Sequence, residues 1–287
     1  MNHVGIDVGG TKCHGVRIDS DGTLLAELRY PTPHADDLIS LLESMFRELG
    51  GETTLGIGVP GLISHDGIIH ASPNLVGARD VPVGPELRRQ TGIAVHVEND
   101  ATSAAFAEWR VGAAAGTRDA IMVTLGTGIG GGIVMGGELH RGAHGFAGEI
   151  GHMVVERNGV PCPCGLHGCW ERYASGSALR YLSGGLSGEE VFRKFYEGDS
   201  AAQSVVNEFA QWIAVGLASL TNICDPEVIV LGGGVVESFN GDLSVIEKYL
   251  SQSLYSSAAR PHPRLCSATL GERAGAIGAA LLVAENL

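Results

Sequence analysis

The chain has 287 residues, 44% of them hydrophobic, and a formal net charge of -13. Such acidity gives no long-range attraction to nucleic acid or to an acidic membrane, so neither is expected as a partner. The start lacks a basic segment followed by an apolar core, and no stretch is long and apolar enough to span a bilayer. A soluble, cytoplasmic chain with room for two domains is expected.

The 43 glycines are about twice the usual share. They follow no collagen period, so they mark tight turns and ligand loops. Residues 3–8 alternate as a strand, Gly9-Gly10-Thr11-Lys12 turns tightly, and 15–19 resumes the alternation. Asp21-Gly22 turns again into a third strand over 24–30. The opening is therefore a three-stranded meander with Asp7 at the end of its first strand. Leu38, Leu41, Leu42, Met45 and Leu49 share one face of a helix over 37–49, ended by Gly50-Gly51. Residues 55–59 read as a buried strand stopped by Pro60-Gly61, and 62–83 as mostly loop. A short helix over 86–90 follows. A strand over 93–97 then runs into Glu98-Asn99-Asp100 and an alanine-rich helix to about 111. Asp100 thus stands where a strand's C-terminal end meets a helix N-terminus, the place where open α/β sheets bind ligands.

The chain changes character at 112–118, which sets the boundary between a smaller domain, 1–112, and a larger one, 113–287. A strand over 120–125, a glycine turn over 126–132, a strand over 133–135 and a turn into Glu138-Leu139 repeat the opening layout. The chain therefore reads as a duplicated unit. Further on, 175–182, 187–197 and 201–222 are predicted helical. Residues 228–231 form a strand ending in Gly232-Gly233-Gly234 before a short helix, and 265–269 is the last strand. A small-residue helix over 274–285 packs closely, and the final segment 274–287 is expected to return to the first domain.

Cys162, Cys164 and Cys169 stand close together, shortly after His152. Thiolate and imidazole ligands at short spacing, parted by Gly and Pro, suit a tetrahedral zinc site. His152, Cys162, Cys164 and Cys169 form a closed set of four, which is structural. The alternative is free or disulfide-linked cysteines in a loop. His167, inside the cysteine run, competes as fourth ligand. His152 is preferred because a ligand outside the run closes a larger ring and fixes two segments together. Cys13, Cys224 and Cys266 read as reduced core thiols and the other histidines as surface residues.

Gly9-Gly10-Thr11 and Gly126-Thr127-Gly128, each at a strand's end, can offer backbone N–H groups to phosphate oxygens. Gly232-Gly233-Gly234 adds a third such loop. Gly126-x-Gly128-x-x-Gly131 spells a dinucleotide fingerprint, but a strand follows where the fingerprint opens a helix. No Gly-Lys-[Ser/Thr] ending occurs, which excludes a Walker A loop. Asp7, beside Gly9, Gly10, Thr11 and Lys12, puts a carboxylate and a hydroxyl near the same phosphates, which suits Mg²⁺. Each loop alone reads equally as a plain hairpin; together they favour a nucleotide site.

Asp7-Val-Gly-Gly-Thr-Lys12, Gly58-Val-Pro-Gly61, Pro73-Asn74-Leu75, Glu98-Asn99-Asp100, Leu125-Gly-Thr-Gly-Ile-Gly-Gly-Gly132, Gly148-Glu-Ile-Gly-His152 and Cys162-x-Cys-Gly-x-x-Gly-Cys-x-Glu171 resemble the ROK family of sugar kinases over essentially the whole chain. The resemblance implies an α/β, actin-like ATPase (ribonuclease H-like) fold with two duplicated domains and a cleft between them. It implies ATP- and Mg²⁺-dependent phosphorylation of a hexose 6-hydroxyl, with glucose ahead of N-acetylglucosamine or N-acetylmannosamine, in a homodimer holding structural Zn²⁺. Asp100 would be the catalytic base. Gly61, Asn74, Asn99, Glu149, His152 and Glu171 would meet the sugar, with His152 serving zinc through its other ring nitrogen. From the residues alone, Asp100 is equally a helix N-cap. Arg141 and His144 are further candidates for the cleft. Glu272-Arg273 departs from the neutral or amide pair expected near the adenine. The alternative from another class, a sugar-sensing DNA-binding regulator, would need a helix-turn-helix ahead of Asp7, for which the space after Met1 is short, and the charge argues against DNA. No basic run supports inorganic polyphosphate as phosphoryl donor.

Overall fold

Two five-stranded sheets of one strand order carry the chain, in a computed structural model that describes residues 2–72 and 75–285. The first stretch runs β1 (His3–Val8), β2 (Lys12–Ile18), β3 (Leu24–Pro31), α1 (Ala35–Glu48), β4 (Thr54–Val59), β5 (Leu62–Ile63), β6 (Ile69–Ala71), α2 (Val83–Thr91), β7 (Ala94–Asn99) and α3 (Asp100–Val111). The second runs β8 (Ala120–Leu125), β9 (Ile129–Met135), β10 (Glu138–Leu139), α4 (Glu171–Ala174), α5 (Gly176–Leu182), α6 (Gly188–Tyr196), α7 (Ser200–Cys224), β11 (Val228–Gly232), α8 (Gly234–Glu237), α9 (Ser244–Ser253), β12 (Arg264–Ser267) and α10 (Ala274–Glu285).

The sheets are ordered β3-β2-β1-β4-β7 and β10-β9-β8-β11-β12. In each, an antiparallel meander is extended by two parallel strands. The repeat predicted from two short meanders therefore extends to whole sheets. Inner strands such as β4 and β11 are buried along their length, as parallel strands covered on both faces must be. The edge strand β3 alternates half-buried and exposed.

Helix α10 is built almost wholly of Ala, Gly, Ile, Leu and Val and is buried nearly all round, as an interior helix should be. It packs on β1, β4 and α3, so the chain's end returns to the first sheet. The approach is at backbone distance. A Cβ at Gly56 would fall onto the Ala279 carbonyl, and one at Gly278 onto the carbonyl of Ser103 in α3. Gly56→Ala should therefore cost about 1–3 kcal/mol of stability through overpacking, read as a lower urea midpoint at unchanged slope.

Glu108, on α3, is 0% exposed. Its carboxylate accepts from Ala113 N, Thr269 N and Leu270 N, each at 2.8 Å, and from Thr269 Oγ1 at 3.1 Å. One buried side chain thus binds both segments where the chain crosses between the sheets, and its charge is matched by four donors.

Several expectations need correction. The glycine turn expected over 126–132 is shorter, because β9 already begins at Ile129. Gly130 and Gly132 lie in that strand, and a Cβ there would press on Ala101 and Ala105 of α3, so these glycines serve helix–sheet contact. The segment 62–83 holds a small hairpin, β5–β6, and α2 begins at Val83. Helix α9 was not predicted, although Ile246 and Leu250 bury one face of it. His3 and His14 are buried instead of on the surface, bonded to Thr54 Oγ1 and Glu27 Oε2. Cys13 is buried as expected, whereas Cys224 and Cys266 are half-buried.

Candidate active site

The parallel strands β1, β4 and β7 end side by side, with Asp7 opposite Gly58 and Gly58 opposite Glu98 in register. Because Gly58 has no side chain, the space between Asp7 and Asp100 stays open. A Cβ there would lie 3.5 Å from both Asp100 Cα and Asp7 Oδ1. β8 and β11 bring Thr124 and Gly232 to the facing wall. Between the walls lies a cleft of about 480 Å³, lined by Asp7, Asp100, Thr124, Gly232, Gly233 and Gly234, among others. Glu272, expected near the adenine, lines it too, as do Glu237 and Ser267, which were not assigned to it from sequence. Their only sequence signal is adjacency to the glycine loop and to the last strand and helix.

The helix cap falls to the neighbour of Asp100. Asn99 is the N-cap of α3: its Oδ1 accepts from Thr102 N at 3.0 Å. Its Nδ2 donates to Gly61 O at 3.1 Å, tying the end of β4 to the start of α3. The Asp100 carboxylate accepts from Ala101 N, at 2.8 Å, and the residue lines the cleft. Burial raises its pKa above the ordinary value, with backbone N–H donors opposing. Burial, and then the charge of Asp100, push Asp7 up to about 8 against the pull of Lys12. Asp7 Oδ1 is sealed from solvent and has no partner among the described residues. Two carboxylates in this state favour a cation between them.

The turn Gly9-Gly10-Thr11-Lys12 sits at the cleft mouth, where Lys12 Nζ donates to both Glu272 oxygens at 2.9 Å. Arg273 instead pairs with Glu27, away from the cleft. The turn Gly126-Thr127-Gly128 follows Leu125, which is packed on the cleft-lining glycine loop: a Cβ at Gly233 would lie 2.5 Å from Leu125 O. The Gly126 and Thr127 carbonyls accept from Gly176 N and Ser177 Oγ at the start of α5, and Gly128 lies against Glu171.

Glu149, His152 and Glu171 gather beside that turn. His152 Nδ1 is 3.8 Å from Cys162 Sγ and 3.9 Å from Glu171 Oε1, while its Nε2 is 3.9 Å from Glu149 Oε2. The ring therefore shows one nitrogen to the cysteines and the other to Glu149. Cys162 Sγ donates to Glu171 Oε1 at 3.2 Å, and Cys164 Sγ lies 3.6 Å from Cys169 Sγ. The ligand atoms of His152, Cys162, Cys164 and Cys169 all lie within 4.8 Å of one another, as four ligands around one metal ion require. His167 is outside this set, its segment held by bridging to Pro161. Burial raises the Glu149 carboxyl; His152 opposes, and the charges of Asp100 and Glu171 add to the rise. Asn74 lies outside the described residues. No helix among the described residues is long and apolar enough to cross a membrane.

The ROK family profile matches residues 3–286. A glucokinase of Streptomyces coelicolor is 34% identical over 311 residues, spanning 98% of this chain and 97% of that protein. An N-acetylmannosamine kinase of Escherichia fergusonii is 32% identical over 291 residues, spanning 98% of each. Among solved structures, a ROK family glucokinase from Streptomyces griseus in complex with glucose and AMPPNP is similar with a TM-score of 0.87 and 34% identity, covering 99% of this chain and 100% of that one.

Proposed function

The chain belongs to the ROK family and is a sugar kinase with the two-domain actin-like ATPase fold, and from that premise we propose that it transfers the γ-phosphoryl group of ATP to the 6-hydroxyl of glucose. The observation that carries the mechanism is the division of labour between Asn99, which caps α3, and Asp100, which lines the cleft. Phosphoryl transfer needs positioning and charge neutralisation more than covalent help. Asp100 accepts the proton of the attacking 6-hydroxyl as the new O–P bond forms, a contribution typically worth ~10²–10⁴-fold. In this reading the domains are 1–112 and 113–287, with α10 returned to the first.

The sugar lies across Gly61, Asn99, Glu149, His152 and Glu171. The paired carboxylates each accept from two adjacent hydroxyls, and the second Nδ2 hydrogen of Asn99 is left to donate. Gly232 to Gly234 and the turn at Gly9 to Lys12 offer N–H groups and a cation to the phosphates. The orphaned Asp7 Oδ1 fits Mg²⁺, which would neutralise charge on the transferring group. Lys12 must leave Glu272 to reach the phosphates. Zn²⁺ fits His152, Cys162, Cys164 and Cys169 as a closed structural site.

N-acetylmannosamine is the second reading, favoured by the 32% identical relative. The two are separated by an ADP-release assay across glucose, mannose, N-acetylglucosamine and N-acetylmannosamine. Highest kcat/KM on glucose is the expected result. Preference for an N-acetylhexosamine would replace the first reading, and no turnover on any sugar would defeat both.

A further inference from the structure

We infer that Arg141 is a positioning residue: its ion pair with Glu98 fastens the loop leading to Glu149 onto the strand end that carries Asn99 and Asp100. The inference rests on the proposed function, because it concerns how the two sides of that sugar site are kept in register. Arg141 Nε donates to Glu98 Oε2 at 2.6 Å. Glu98 is 4% exposed, and its other oxygen, Oε1, accepts from the backbone N of Asn99 at 3.1 Å. One carboxylate therefore grips Arg141 on one side and the peptide preceding the catalytic Asp100 on the other. His96 Nε2 stands 3.6 Å from the same Oε2 that Arg141 reaches, so both His96 and Arg141 face Glu98, with Arg141 the one at direct bonding distance.

The loop is organised to use this contact. It follows β10 of the second sheet, and Ala147 N donates to Arg141 O at 3.1 Å, closing it on itself. It seats on the first sheet's side at two more places. Gly145 is close-packed on the β5–β6 hairpin, where a Cβ would lie 2.7 Å from Ile63 O. The Phe146 ring meets His70 edge-on at 6.0 Å between centroids. Glu149 follows immediately. Asp100 comes from one sheet and Glu149 from the other, so a sugar bound by both needs their spacing fixed. Displacements of about 1 Å in such sites can cost ~100-fold in rate. A cavity of about 220 Å³, lined by His65, His96, Glu98 and Arg141, remains beside the pair.

The test compares wild type, Arg141→Ala, Arg141→Lys and the double variant Glu98→Gln/Arg141→Met, measuring KM for glucose, KM for ATP, kcat and thermal unfolding. Arg141→Ala should raise the glucose KM about 10- to 100-fold, with lower kcat, and leave the ATP KM within about twofold, since no ATP contact changes. Guanidinium at millimolar concentration, small enough for the neighbouring cavity, should restore part of the loss in Arg141→Ala and none in Arg141→Lys. The double variant leaves no unpaired buried charge. It should unfold near the wild-type temperature yet keep the raised glucose KM, which a merely structural pair would not do. A wild-type glucose KM in either Arg141→Ala or the double variant overturns the inference, as does an equal rise in both substrates' KM. If wild type phosphorylates no sugar, the proposed function fails instead.

Discussion

Asp100→Asn should lower kcat by ~10²–10⁴-fold while glucose binding stays measurable by calorimetry. Asn keeps the size and can still accept from Ala101 N, and the helix cap is untouched because Asn99 supplies it. The substitution removes the ability to take a proton, together with one negative charge beside Asp7. A companion result is expected in the pH profile. The base works ionised, so activity is lost as pH falls, and burial raises the Asp100 pKa. The acid limb of kcat should therefore stand above the ordinary carboxylate range. Asp100→Asn with unreduced turnover would remove Asp100 from the mechanism.

Loss of the metal should act on the sugar side alone. Protein purified without chelator should carry about one zinc per chain. Structural zinc contributes about 10–16 kcal/mol in small folded units at neutral pH, more than loop packing can replace. Cys164 is exposed and its Sγ lies 3.6 Å from Cys169 Sγ, so Cys164→Ala changes the metal-binding cluster while leaving Glu149 and Glu171 themselves intact. It should abolish zinc binding, make the segment 152–170 protease-sensitive and raise the glucose KM well before ATP affinity changes. The reason is geometric: His152, one of the four clustered side chains, also faces Glu149, and Glu171 accepts from Cys162, another of them. Selective loss of ATP binding would contradict this arrangement.

The cluster of His152, Cys162, Cys164 and Cys169 was legible in the sequence because its members are local and chemically distinctive. The opening meander and Asp7 were legible for the same reason. Adjacent Asn99 and Asp100 were not separable, since both residue types cap helices well; only the hydrogen bond to Thr102 N decides between them. The glycines of β9 misled because a missing Cβ serves a phosphate or a packed helix equally well, and Ala101 and Ala105 lie far off in sequence. Helix α9 was missed for want of a side-chain cap: Leu243 precedes it without one. Glu98 and Glu108 look like ordinary acidic residues in a strand and a helix. Their partners lie 43 and about 160 residues away, where no spacing rule reaches.

Glu108 has a mechanical consequence. The chain passes between the sheets after α3 and again before α10, and one carboxylate holds both passages. The two crossing segments are thereby coupled, because pulling either one away strips donors from a carboxylate that is 0% exposed. With α3 and α10 packed at backbone distance through Gly278, the crossing is tied twice, once by a buried side chain and once by a contact of two helices.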